Sequence, residues 1–258
     1  MKLAFAGKGG VGKTTITSWM ADWLARTGNN VWMIDADTAL SLGQASGLDC
    51  SSMPQPVSSR KDLISERIHA EGFLNLNPDV GDLPAELSVE IPLFEEPFPG
   101  VKPGKKRLLV MGSLSNAGGG CACDANALLK ALLAHVVMDN NDCVLVDLEA
   151  GVEHLGRGTA AYVDGMVVVS EPSMRSFKTA SEVGRMAGEL GLDKQVLVIN
   201  RYMGGSPPDL EFIPERRFLI PPFQGLIERQ MTDGSVLNLP ESVEIDAMME
   251  KIVQAFKD

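Results

Sequence analysis

Four cysteines in 258 residues are too few for a disulfide framework, and they point to a reducing, cytoplasmic setting. Basic residues are in deficit: 23 Lys and Arg stand against 34 Asp and Glu, a net charge of −11. That balance opposes general binding to the phosphate backbone of nucleic acids and to anionic membrane surfaces. No apolar run approaches the ~20 residues that cross a bilayer. No secretory leader is expected either, since Met1 to Ala6 run straight into a glycine-rich loop. Aromatics make up only 5%, while 26 Gly and 15 Pro are near average usage, which argues against disorder, collagen-like repeats and coiled coil. What is present, 45% hydrophobic and 22% charged residues, fits one compact α/β unit over residues 1–258 better than two domains.

Along the chain short apolar runs alternate with helix-spaced ones, the pattern of an open, mostly parallel sheet flanked by helices. Strands are expected at Lys2 to Ala6, Val31 to Ile34, Arg107 to Met111, Cys143 to Asp147, Met166 to Ser170 and Gln195 to Asn200. Helices are expected at Lys13 to Arg26, with Gly28 as C-cap, and near Asp124 to Met138, Ser173 to Leu190 and Glu241 to Phe256. Asp124 and Ser173 suit the N-cap position. From about residue 45 to 106 the chain is rich in Pro, Ser and acids with weak periodicity, and it reads as an irregular surface excursion from the core. The C-terminal AMMEKIVQAFKD is amphipathic with balanced charge, a docked helix rather than a membrane anchor.

Gly7 to Thr15 read GKGGVGKTT. Gly7, Gly12, Lys13 and Thr14 meet the strict pattern G-x-x-x-x-G-K-[ST], directly after a strand and opening a helix. Glycines let the amides of Gly9, Gly10, Val11 and Gly12 turn inward around phosphate oxygens, and the helix N-terminus, from Lys13 to Thr15, favours negative charge there. Lys13 is placed to neutralise the β- and γ-phosphates, and the Thr14 hydroxyl to hold Mg²⁺. Lys8 lies in the same loop, where it is hard for both lysines to serve one phosphate chain from the same side.

This KGGVGKTT is similar to the deviant phosphate loop of the MinD/ParA/nitrogenase-iron-protein class of ATPases. The resemblance implies a doubly wound P-loop fold and an ATP-sandwiched homodimer in which Lys8 reaches the partner's nucleotide, like an arginine finger. It places switch I at Asp35-Ala-Asp37, with Asp37 positioning or deprotonating the attacking water and Asp35 as a supporting carboxylate near Mg²⁺. Cys143-Val-Leu-Val-Asp147 has the Walker B arrangement, which makes Asp147 a Mg²⁺ group. Leu148 to Gly151 then corresponds to switch II, with the Gly151 amide sensing the γ-phosphate. Glu149 departs from the proline or small residue usual there, and its role stays open between tuning the switch and facing solvent. Asn200 and Arg201 stand where the class recognises adenine. Ile220-Pro221-Pro222-Phe223 resembles the segment that closes the same pocket.

GGGCACDANALLKALL places Cys121 and Cys123 after three glycines and before a helix, where thiol pKa values are lowered. Two thiolates are half of a tetrahedral site. His135, twelve residues on, is about 18 Å away along a helix, too far to complete it. A second copy of the loop across a two-fold axis would supply four sulfurs, suited to tetrahedral Zn²⁺ or square-planar Ni²⁺. The other reading is two unligated or redox-active thiols. Cys50 and Cys143 read as structural.

The short C-x-C, followed by Asp147-Leu-Glu-Ala-Gly-Val-Glu-His154-Leu-Gly-Arg-Gly-Thr159, is similar to the CooC-type nickel-insertion ATPases. The match runs from Met1 to about Arg201 and takes in SLGQASGL and SEPS. It implies a metal ion shared between the C-x-C motifs of two subunits, a dimer tightened by ATP, and delivery of nickel to carbon monoxide dehydrogenase or the related acetyl-CoA synthase. Glu153 and His154 would either relay nucleotide state to the metal end or cap a helix. Two rivals differ in class. A MinD/ParA-type positioning switch is disfavoured by the acidic charge, and a nitrogenase-type iron–sulfur reductase by the lack of cysteine between Leu148 and His154.

Overall fold

The computed structural model describes residues 1–37, 39–60, 69–70, 73–74, 86–112, 142–149, 162–232 and 234–257. Its elements run β1 (Lys2–Ala6), α1 (Lys13–Arg26), β2 (Asn30–Ala36), α2 (Leu42–Ala45), β3 (His69–Ala70), β4 (Phe73–Leu74), β5 (Val89–Ile91), β6 (Lys106–Val110), β7 (Asp142–Leu148), β8 (Gly165–Ser170), α3 (Met174–Glu189), β9 (Gln195–Ile199), β10 (Arg217–Leu219), α4 (Gln224–Gln230) and α5 (Ser242–Lys257). Eight strands form one sheet in the order β10-β9-β8-β1-β7-β2-β6-β5. The pairings from β10 to β6 are parallel, and only the edge strand β5 runs antiparallel, against β6.

Strand alternation divides the core into two layers. Leu3 and Phe5 of β1 pack with α1 and α5, through Ile16, Trp19, Met20, Met249 and Ile252. Ala4 and Ala6 face the other way, toward Phe177, Ala180 and Val183 of α3. Because alternate strand residues feed opposite layers and both are buried, the strands read as unbroken apolar runs, while the helices carry the 3.6 period. Helix ends follow their local chemistry. Gly28 has φ +95°, its amide bonding the Ala25 carbonyl at 3.1 Å, and the Ser173 hydroxyl accepts from the Ser176 amide at 3.3 Å.

Helix α1 is buried almost throughout, charged residues included. Those charges are paired: Lys106 Nζ donates to Asp22 Oδ1 at 2.5 Å, Arg26 Nε to Asp22 Oδ2 at 2.8 Å, and Arg26 Nη1 to Asp246 Oδ2 at 2.9 Å. Burial lowers the pKa of the Lys106 ammonium, and Asp22 opposes that shift. The network ties α1 to β6 and α5. A buried charge is tolerated only when so matched.

The stretch expected to be irregular is partly ordered into the sheet. Val89–Ile91 pairs with β6, placing Glu90 opposite Arg107, and the Ile91 side chain is fully buried. Three residues closed off by Pro92 are too short to show a period. The short elements α2, β10 and α4 were likewise unmarked by periodicity. The helix expected near Asp124 to Met138 lies outside the described residues. Among the described residues no helix is long and apolar enough to cross a membrane.

Candidate functional site

Parallel pairing gathers the carboxyl ends of β1, β7 and β2 at one edge. Phe5 is in register with Asp147, and Asp147 with Asp35. The loop leaving β1 enters α1 at this edge, as ligand sites in open α/β sheets require. Gly7 has φ +145°, and a Cβ there would meet the Val169 carbonyl at 2.2 Å. Gly12 has φ +100°, and a Cβ there would lie 2.3 Å from Asn200 Nδ2. Only glycine fits either place. No side chain caps the N-terminus of α1 and its first turn carries no acid, so its amides are left to an anion.

An open cavity of about 430 Å³ lies here, lined by Gly9, Gly10, Gly12, Lys13, Thr14, Thr15, Asp37, Ala39, Ser41, Glu149, Arg201 and Gln230. The Lys13 ammonium turns back onto the Lys8 carbonyl at 3.5 Å, and the side chain is 5% exposed. The Thr14 hydroxyl donates to Asp147 Oδ2 at 2.6 Å. The other oxygen, Asp147 Oδ1, is buried without a partner among the described residues. A buried carboxylate oxygen with no donor, beside a hydroxyl at a phosphate loop, is a donor set that fits Mg²⁺.

Burial pushes the Asp147 carboxyl up to about 7; the Thr14 hydroxyl opposes the shift, and Asp35 adds to it. Asp35 is pushed up to about 6, again by burial, against the Leu42 and Asp37 amides that stabilise its charge. Both acids bind protons more tightly folded than unfolded. Their contribution to stability is complete below about pH 4 and is lost as the pH rises through 6 and 7. The ligand-free chain in chelator is therefore expected to melt at a lower temperature at pH 8 than at pH 5, with Asp147→Asn flattening the slope. A thermal melt series across that range checks it.

The structure separates residues that the sequence grouped together. Asp35 Oδ1 accepts from the Asp37 amide at 3.2 Å and Oδ2 from the Leu42 amide at 3.0 Å, so Asp35 pins the turn after β2. Asp37 Oδ1 in turn accepts from the Ala39 amide at 2.9 Å, at the wall of the cavity. Asn200 Nδ2 donates to the Val11 carbonyl at 2.8 Å, and its Oδ1 accepts from the Arg201 amide at 3.0 Å. Phe223 is 4% exposed and meets Trp19 edge-on, with centroids 5.8 Å apart. It belongs to the core rather than to a lid over a base, and Pro221 and Pro222 are not among the residues lining the cavity. Gln230, at the end of α4, joins the wall without any sequence signal to announce it.

Cys121, Cys123, Gly151, Glu153, His154 and His135 lie outside the described residues. Among the described residues no three His, Cys, Asp or Glu side chains converge as a metal cluster. Cys143 is buried, and burial raises its thiol pKa; Cys50 is exposed.

Residues 3–216 match the CobQ/CobB/MinD/ParA nucleotide binding domain. The carbon monoxide dehydrogenase accessory protein CooC of Rhodospirillum rubrum is 38% identical over 84% of this chain and 79% of its own length. An uncharacterized ATP-binding protein of Methanocaldococcus jannaschii is 36% identical over 78% of this chain and 75% of its own. Among solved structures, MinD from Pyrococcus horikoshii complexed with Mg-ADP superposes with a TM-score of 0.66 at 15% identity, covering 97% of this chain and 95% of that one. The MinC:MinD complex of Aquifex aeolicus gives 0.65 at 20% identity, covering 98% and 96%.

Proposed function

The chain belongs to the CobQ/CobB/MinD/ParA nucleotide-binding family and is of the CooC type within it, and from that premise we propose a cytoplasmic Mg²⁺-dependent ATPase whose ATP-bound homodimer delivers nickel to a carbon monoxide dehydrogenase or a related acetyl-CoA synthase. The observation that carries the ATPase reading is the partnerless Asp147 Oδ1 beside the Thr14 hydroxyl, at the foot of an uncapped helix N-terminus.

In this reading Gly9 to Thr15 wrap the phosphates, and Lys13 leaves the Lys8 carbonyl to neutralise the β- and γ-phosphates. Thr14 and Asp147 hold Mg²⁺, which supplies charge neutralisation for the transferred phosphoryl group. Asp37 orients the attacking water, and Asp35 holds the Asp37 turn in place through two backbone amides. Asn200 keeps the phosphate loop open from behind. Lys8 serves the partner's nucleotide, so loss of the γ-phosphate loosens the dimer.

The nickel reading rests on Cys121 and Cys123, each chain bringing half of a four-sulfur site, and on the CooC relative being a carbon monoxide dehydrogenase accessory protein. The metal, Ni²⁺ or Zn²⁺, is cargo held between subunits.

Phosphate release from ATP tests the enzyme reading. Turnover that requires Mg²⁺ and stops in EDTA is expected. Failure to bind a fluorescent ATP analogue in Mg²⁺ would overturn it.

A further inference from the structure

A phosphate loop that points its amides inward must point its carbonyls outward, and those carbonyls need donors of their own. In this chain two consecutive ones have them from the end of β9. Asn200 Nδ2 takes the Val11 carbonyl, and Arg201 Nη1 takes the Gly10 carbonyl at 3.3 Å. Arg201 does so from a backbone in the left-handed region, φ +55°. The same Nη1 is also bonded to the Glu171 carboxylate. Glu171 is fixed in its turn: its amide donates to Ser176 Oγ at 3.0 Å, and that hydroxyl also accepts from Ser170 Oγ at 2.9 Å.

We infer that Glu171 is a positioning residue for the nucleotide site: it holds the Arg201 guanidinium on the Gly10 carbonyl, and so keeps the amides of Gly9 to Gly12 aimed at the phosphates. The inference rests on the ATP-binding reading above and adds to it a residue that never touches nucleotide. Three facts support it together. Glu171 leaves the end of β8, the strand whose Val169 carbonyl abuts Gly7. Arg201 lines the nucleotide cavity. The carboxylate and the loop carbonyl share one guanidinium nitrogen, so one orientation of the guanidinium makes both contacts.

Without the carboxylate, Arg201 is a long cation at a cavity mouth with one weak carbonyl contact, free to rotate away. The loop then samples conformations that do not bind phosphate, and apparent affinity falls by the fraction lost. Chemistry in the complexes that still form is unaltered.

The experiment compares full-length wild type, Glu171→Gln, the charge-swapped pair Glu171→Arg with Arg201→Glu, and Glu182→Gln as an exposed-carboxylate control on α3. For each, KM and kcat for ATP are measured, together with Kd for a fluorescent ATP analogue and the thermal midpoint. Glu171→Gln is expected to raise Kd and KM about three- to fivefold, the scale of a half-exposed ion pair, with kcat and midpoint little changed. The control is expected to match wild type. The swapped pair restores an ion pair but leaves the Gly10 carbonyl without its donor, and its KM is expected to stay high. Wild-type KM in Glu171→Gln, or in the swapped pair, would overturn the inference while leaving the ATPase reading intact. Absence of analogue binding by the wild-type chain would overturn that reading and the inference with it.

Discussion

Replacing Lys8 by alanine is expected to lower ATP turnover about 10³-fold, the scale of a charge supplied to the transition state from a partner, while leaving nucleotide affinity of the isolated chain nearly unchanged. The reason lies in how the loop divides its work. The Lys8 backbone belongs to its own site: its carbonyl accepts from the Val11 amide and the Lys13 ammonium, both at 3.5 Å. The buried lysine beside the Thr14–Asp147 pair is Lys13, so charge for the bound phosphates is present without Lys8. On the proposed trans role, removing Lys8 is expected to cost nothing until two chains meet around ATP. Single-turnover hydrolysis together with analogue binding separates the two effects. A mixing experiment makes the trans placement explicit. Lys8→Ala and Asp37→Asn chains, each inactive alone, should regain part of the activity when combined, because a mixed dimer holds one complete site. No recovery on mixing would place Lys8 in its own chain's site.

How much of this was legible in the chain itself depended on period and spacing. The strands were readable as continuous apolar runs, which are buried on both faces, and α1, α3 and α5 by their helix-spaced apolar residues. The loop between β1 and α1 was readable because the spacing of its glycines, lysine and threonine is fixed by backbone geometry. Asp147 was marked as the acid ending an apolar strand, and its partnerless oxygen gives that mark physical content. What stayed hidden depends on contacts between distant segments. Nothing local in Asn200 or Arg201 says that they serve the Gly10 and Val11 carbonyls, 191 and 189 residues away. Nothing in Pro222-Phe223 says that the ring turns to Trp19 rather than to a base. The resemblance to the ATPase class makes Asp35 a supporting carboxylate near Mg²⁺, whereas its two oxygens accept from the Asp37 and Leu42 amides. β5 is three residues long and gains its place only from β6.

The second large effect concerns Cys121 and Cys123. Changing both to serine is expected to abolish stoichiometric Ni²⁺ or Zn²⁺ binding and leave ATP binding intact, because the phosphate loop and the C-x-C are separate sets of residues. A serine hydroxyl stays protonated near neutral pH, so it cannot replace a thiolate donor. Changing one cysteine removes two of the four sulfurs of a symmetric site, one from each chain, and should weaken the ion nearly as much as changing both. A site confined to one chain would lose only a single sulfur. Elemental analysis of gel-filtered protein, normalised per chain, reads the difference directly.

Native mass spectrometry of the full chain, loaded with Ni²⁺ in the presence of Mg²⁺ and a slowly hydrolysed ATP analogue, tests the account at its centre. The predicted species has two chains, two nucleotides and one nickel ion, and the nickel is missing from the double-serine variant. A single chain carrying nucleotide and a tightly held nickel ion, with no dimer, would contradict it.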